Sequence, residues 1–165
     1  MVTVPKLVLL GGPTGVGKST TLKLLESRLP KLALLDADDV WRVSEDLAVD
    51  GTRSIAISNV VNVLNGYRDA GCDTAVLSWV FARSALFRPV VEALTGTFDV
   101  ILQIYLVASP DALRARLESR NDLDRLAYSI SRLKLIERLP YRRIDTTNLS
   151  AYDTAERVLE LIDAG

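Results

Sequence analysis

The stretch GGPTGVGKST, Gly11 to Thr20, follows the apolar run Leu7 to Leu10 and leads into leucines at helical spacing, Leu22, Leu25 and Leu29. An apolar run of strand length, a glycine-rich turn and an amphipathic pattern predict a strand, a loop and a helix in direct succession. Gly12, Pro13, Thr14, Gly15, Val16, Gly17, Lys18 and Ser19 spell Gly-x-x-x-x-Gly-Lys-Ser, and Thr20 completes the polar end of the stretch. Glycines at these positions let backbone N–H groups turn toward one point and approach an anion closely. The helix starting near Lys18 adds its positive dipole end. In this pattern the lysine reaches the β and γ phosphates of a nucleotide, and the serine hydroxyl serves Mg²⁺.

Outward from the cradle, apolar runs of strand length recur: KLVLL (Lys6 to Leu10), LALLD (Leu32 to Asp36), TAVLSWV (Thr74 to Val80), DVILQIYLV (Asp99 to Val107) and a weaker RRID (Arg142 to Asp145). Their apolarity is continuous rather than alternating, which suits strands covered on both faces of a parallel sheet. Helical patterns lie between them, among them Val61, Leu64 and Tyr67. Ser109 followed by Pro110 reads as an N-cap with proline at the first helical position, and Ser150 with Asp153 reads as a short capping box. Pro89 falls within SALFRPVVEAL and leaves the start of that helix open between Ser84 and Arg88. These elements predict one α/β domain over residues 1–165, with a five-stranded parallel sheet.

Composition narrows the chemistry. A chain of 165 residues with 48% hydrophobic residues and a formal net charge of -1 has the material for one core and no excess of cations for a polyanion. Nucleic acid is therefore not an expected partner. A single cysteine, Cys72, excludes a disulfide framework within the chain, and the lack of histidine leaves carboxylate, lysine, tyrosine or water to move protons. LVLL is too short to cross a membrane, so no membrane partner is expected and the expected compartment is the cytoplasm.

The acidic residues stand in an informative place. In many hydrolysing proteins with this cradle, a strand ends in a carboxylate that holds Mg²⁺, yet AVLSWV and VILQIYLV end in none. LLDADDVWR instead puts Asp36, Asp38 and Asp39 at the end of the second strand, the edge where open α/β sheets bind ligands. An aspartate there can accept a proton from an incoming hydroxyl while another anchors Mg²⁺ through water. Asp36 and Asp38 are the candidates. Capping of a helix beginning VWRVSEDL is the alternative use, above all for Asp39.

GGPTGVGKST, LLDADD, IYLVASPDALRARLESR and IDTTNLSAYDTAERVLELI together resemble the P-loop small-molecule kinases, the group of shikimate kinase, gluconate kinase and chloramphenicol phosphotransferase. The resemblance implies a three-layer P-loop NTPase fold with strand order 2-3-1-4-5, helices on both faces and a short lid at NDLDR. It implies ATP and Mg²⁺ as cofactors, Asp36 with Ser19 near the metal, and Asp38 at the acceptor hydroxyl, with Lys18 and Arg120 serving catalysis. Arg116 and Arg120 in RARLESR would close over the phosphates or stack on adenine, and Thr147 in IDTTN would border the base. The glycine-rich acceptor loop of shikimate kinases is replaced here by SWVFARSALF. Acceptor-binding candidates are Asp38, Arg42, Arg53, Trp79, Arg83 and Arg138, since guanidinium groups clamp anions and tryptophan covers flat faces. The bland alternative makes the tryptophans core residues and the arginines solvated ones. The expected function is transfer of the γ-phosphoryl group of ATP to a hydroxyl of a small metabolite or antibiotic, by a monomer or homodimer. Alternatives are a nucleoside or nucleotide kinase, and a nucleotide-dependent binding module without transfer. A polynucleotide 5′-kinase ranks below them for want of a basic groove.

Overall fold

Leu7, Val8, Leu9 and Leu10 are buried without alternation, and the sheet around them explains why. The computed structural model describes residues 4–42 and 53–165. Its strands are β1 (Lys6–Gly11), β2 (Leu32–Asp36), β3 (Thr74–Trp79), β4 (Val100–Val107) and β5 (Arg142–Asp145). They pair in parallel in the expected order, β2-β3-β1-β4-β5. The helices are α1 (Lys18–Glu26), α2 (Arg53–Asp69), α3 (Ser84–Leu94), α4 (Pro110–Glu118), α5 (Leu126–Ile136) and α6 (Ala151–Asp163).

Successive side chains of a strand point to opposite faces, so a strand buried on both sides feeds two cores. Leu7 and Leu9 join Ala75, Leu77 and Tyr105 against Val60 and Leu64 of α2 and Phe87 and Val90 of α3. Val8 and Leu10 join Val76, Ile104 and Leu106 against Leu25 of α1, Leu113 of α4 and Val158 and Ile162 of α6. A single substitution in β1 therefore disturbs one helical layer and spares the other.

Local signals act where the sequence places them. The Ser109 hydroxyl accepts from the Ala112 N–H, with Pro110 opening α4. Ser150 and Asp153 complete a capping box at α6. The third helix starts at Ser84 and carries Pro89 inside it, where the ring forgoes one i→i−4 bond. The expected helix beginning VWRVSEDL is not seen where it can be checked: Val40 ends a 3-10 turn and Trp41 and Arg42 are non-helical. The rest of it, residues 43–50, lies outside the described residues.

In a parallel sheet all strand ends of one kind share an edge, so the segments after β1, β2, β3 and β5 meet at the C-terminal edge. At that edge the ring of Tyr105, from β4, lies over β1. Gly11 pairs with Tyr105, and a Cβ on Gly11 would stand 2.5 Å from the tyrosine ring. Tyr105 is only 2% exposed and cannot swing away. Gly11→Ala is expected to destabilise the fold by about 1–3 kcal/mol through overpacking, measured as a lower urea midpoint with an unchanged slope.

Candidate functional site

The loop from Gly12 to Gly17 is shaped by its glycines. Gly12 has φ 147°, and a Cβ there would stand 2.6 Å from the Leu106 carbonyl oxygen, so no other residue fits. Gly12 N–H donates to the Val80 carbonyl at 3.4 Å, which ties the cradle to the end of β3. Lys18 begins α1 and folds back over the loop. Its Nζ donates to the Gly12 and Pro13 carbonyls at 2.8 and 3.2 Å. Burial lowers its pKa to about 8, against the pull of the Asp36 and Asp38 carboxylates, which favour the charged form. Ser19 and Thr20 are exposed at the mouth of the cradle.

Asp36 ends β2 directly opposite Ser78 of β3. One of its carboxylate oxygens accepts from the Asp38 N–H at 3.1 Å and the other from the Ser78 hydroxyl at 3.4 Å. Asp36 is thus the residue that caps the 3-10 turn Ala37–Val40, in place of Asp38 or Asp39. The turn separates the neighbours: Asp38 faces the cradle, while Asp39 points outward to Arg42 at 2.6 Å. Burial raises the Asp36 pKa, and the Asp38 N–H opposes the rise.

A cavity of about 180 Å³ lies between these groups, lined by Lys18, Ser19, Asp36, Asp38, Trp79 and Val80, together with Arg120 and Arg125. A second, of about 260 Å³, adjoins it and is lined by Gly15, Val16, Thr20, Arg116, Thr146 and Leu149. Gly15, Gly17, Thr20 and Arg120 border both. Arg120 is exposed, with no ion pair among the described residues, so its charge is available where the cavities meet. Arg116 is committed: its guanidinium donates to the Thr146 hydroxyl at 2.9 Å, to the Thr146 carbonyl, and to the Gly15 carbonyl at 3.5 Å. These bonds tie the helix α4 to the loop after β5 while Arg116 lines the second cavity.

The geometry sets several of the expected positions apart from the two cavities. Thr147 is absent from the lining of either cavity; its hydroxyl donates to Asp145 and accepts from the Ser109 N–H, and Thr146 holds the lining place. Arg42 is exposed and paired with Asp39, away from the cavity. Arg83, beside the start of α3, and Arg138, beyond α5, are exposed and line neither cavity. Arg53 opens α2, and its side chain lies outside the described residues. Trp79 serves both readings at once, since it is 8% exposed in the core and borders the cavity. Ser78, Arg125 and Thr146 were not singled out from the sequence. Each sits beside a recognised motif, but only the sheet register and the lid's return bring them to the site.

Among the described residues no cluster of three His, Cys, Asp or Glu could hold a metal unaided. The Ser19 hydroxyl and the Asp36 carboxylate nevertheless offer the hard oxygen donors that Mg²⁺ takes when phosphates and water supply the remainder. Asp36 keeps unused lone pairs after its two hydrogen bonds. The residues present fit that group.

No family model and no curated protein matches this sequence. Solved structures do. The tunicamycin resistance protein of Deinococcus radiodurans is 19% identical with a TM-score of 0.74, covering 96% of this chain and 95% of that one. A gluconokinase from Sinorhizobium meliloti 1021 is 14% identical with a TM-score of 0.69, covering 94% and 90%. Shikimate kinase from Acinetobacter baumannii, in complex with shikimate, is 21% identical with a TM-score of 0.64, covering 98% and 94%. With near-complete coverage on both sides and the strand order β2-β3-β1-β4-β5, this chain has the fold of the P-loop small-molecule kinases.

Proposed function

We propose that the protein transfers the γ-phosphoryl group of ATP to a hydroxyl of a small metabolite or antibiotic. The observation that carries this reading is the single cavity in which the Lys18 and Ser19 cradle faces Asp36 and Asp38. A carboxylate in the same cavity as the phosphate cradle is placed as a transferase needs it to orient an acceptor hydroxyl for attack, which supports transfer over nucleotide binding alone.

In the proposed reaction the acceptor hydroxyl sits against Asp38, whose carboxylate takes the proton as the oxygen attacks the γ-phosphorus. The bond to the bridging oxygen breaks and ADP leaves. Lys18 and Arg120 hold the phosphate oxygens and offset the charge that spreads over them. Arg125 lines the same cavity and is held by Asp122 at 3.8 Å. Ser19 and Asp36 would hold Mg²⁺, which, when bound, neutralises phosphate charge. Arg116 and Thr146 shape the second cavity for the base. Trp79 and Val80 form the apolar wall beside Asp38. The presence of cations, carboxylates and an aromatic in one lining supports a cavity that takes both a phosphate donor and a hydroxyl acceptor.

ATP turnover in purified protein, with and without a panel of hydroxylated metabolites, aminoglycosides and phenicols, tests the reading. Asp38→Asn is expected to lower kcat by about 10²- to 10⁴-fold, as for loss of a general base, and to leave the KM for ATP within about threefold. No stimulation by any acceptor, together with an unaffected variant, would sink the transferase reading. Equal losses in both parameters would assign Asp38 to nucleotide binding instead.

Lys18→Ala is expected to abolish transfer by removing the cation from the phosphates; substantial residual activity would contradict its placement. The lysine also gives a pH signature. It is charged below about pH 8 in the free protein, so ATP affinity is expected to fall roughly tenfold per pH unit above that point. Its folded value lies below the unfolded 10.5. Between those limits the unfolded chain holds more protons and stability rises with pH. Lys18→Met should therefore flatten the rise in melting temperature over that window, as read by calorimetry, and lose ATP binding at every pH.

A further inference from the structure

The turn that follows β3 is strained in a way the sequence does not announce. Phe81 has φ 45°, the left-handed region that costs a bulky residue free energy unless its surroundings hold it there. It is only 1% exposed, so it cannot relax outward. Its conformation ends the extended run that puts Trp79 and Val80 beside the carboxylates, and its ring packs edge-on to Trp79 at 5.8 Å between centroids. The Val80 carbonyl accepts from the Gly12 N–H, so the same turn also touches the cradle.

The Phe81 carbonyl is held by a side chain from another strand. Tyr105 lies on β4, across β1 from β3, and its hydroxyl donates to that carbonyl at 3.1 Å in a buried bond. To reach it, the ring crosses β1 over Gly11, where the missing Cβ leaves room. Tyr141 stacks on the other side of Tyr105 at 5.9 Å, with 21° between the rings, which fixes the ring plane. Burial pushes the Tyr105 phenol far above its ordinary range, with Tyr141 adding to the rise, so it remains a donor at working pH. A ring spanning a strand to end on the carbonyl of a strained residue is a tether.

We propose that Tyr105 is a positioning residue, which acts through the Phe81 carbonyl to hold Trp79 and Val80 as the acceptor wall of the cavity. This rests on the reading of that wall given above, and the test is a physical readout that needs no transfer. Removing the hydroxyl keeps the ring, its stacking and the fit over Gly11. It deletes only the bond that holds the strained turn.

The protein has two tryptophans, Trp41 and Trp79, so a Trp41→Phe background isolates the emission of Trp79. In that background Tyr105→Phe is expected to raise the acrylamide quenching constant of Trp79 by about twofold or more, as a released wall opens to solvent. Affinity for a non-hydrolysable ATP analogue with Mg²⁺ should stay within about twofold, because the turn is linked to the cradle by the long 3.4 Å bond from Gly12 to Val80, and the cradle's shape rests on its own glycines. Tyr141→Phe is the control: it removes a hydroxyl from the stacked neighbour, which makes no hydrogen bond to Phe81, and should leave Trp79 unchanged. An unchanged quenching constant in Tyr105→Phe, or an equal rise in Tyr141→Phe, would overturn the proposal. So would a parallel loss of analogue affinity, since Tyr105 would then act on the cradle through Gly11. A melting temperature lowered by more than about 10 °C, beyond what one buried hydrogen bond explains, would make Tyr105 a stability residue and equally overturn it. If the tether holds but no acceptor stimulates turnover, the transferase reading fails and the positioning role stands.

Discussion

The first strand has neighbours on both edges and helices on both faces, so its only way out to solvent is along its own axis. Everything polar that the chain must present to a ligand therefore gathers at one edge. Backbone N–H groups after β1 cannot be satisfied by the sheet, and the glycines after Gly11 turn them toward a common point where an anion can take them up. The carboxylates after β2 and the apolar wall after β3 come to the same place because β3 lies between β2 and β1, with no gap in the sheet. A shift of β2 by one residue would carry Asp36 away from Ser78 and reverse the faces of the whole strand.

The cavity is an electrostatic compromise built on this geometry. Burial loosens the hold of Lys18 on its proton, and the nearby Asp36 and Asp38 carboxylates restore it only in part, while its ammonium donates to two loop carbonyls. Asp36 is the mirror case, buried enough to resist ionisation and held by donors that restore it. A phosphate with its metal would satisfy both, being an anion for the lysine and a cation for the aspartate. Sites of this kind are less stable empty than filled, which is how binding free energy comes to order a catalytic geometry.

Much of this was legible in the sequence because its causes are local. Strand length, the glycines of the cradle, the Ser109 and Ser150 caps and the acids closing LALLD each act within a few residues. Where side chains lie in a way the sequence did not indicate, the cause is the opposite one. Arg42, Arg83 and Arg138 stand near the expected substrate side in sequence, but long exposed side chains follow solvent and nearby carboxylates. Arg116 looks like a mobile lid cation in RARLESR, and only the approach of the loop after β5 shows it occupied by Thr146. Ser78 is one polar letter in a buried strand until the register sets it against Asp36. No periodicity within one element carries that information.

The segment SWVFARSALF shows how an absence in the sequence becomes a feature in the fold. Where the shikimate kinases it resembles use a glycine-rich loop, this chain uses aromatic and branched residues, and glycine would adopt a left-handed turn without cost. Phe81 adopts it instead, and the strain is met by a buried hydrogen bond from Tyr105 and by contacts with Trp79 and Phe87. Such a wall is stiffer than a glycine loop and more apolar, so it presents a formed surface rather than one that closes on arrival. It also couples distant positions: Gly11 must lack a side chain for Tyr105 to cross β1, and Tyr105 must cross for Phe81 to hold its turn. The glycine that closes β1 thus serves the wall after β3 as well as the loop it leads into, and the two sides of the cavity share one packing constraint.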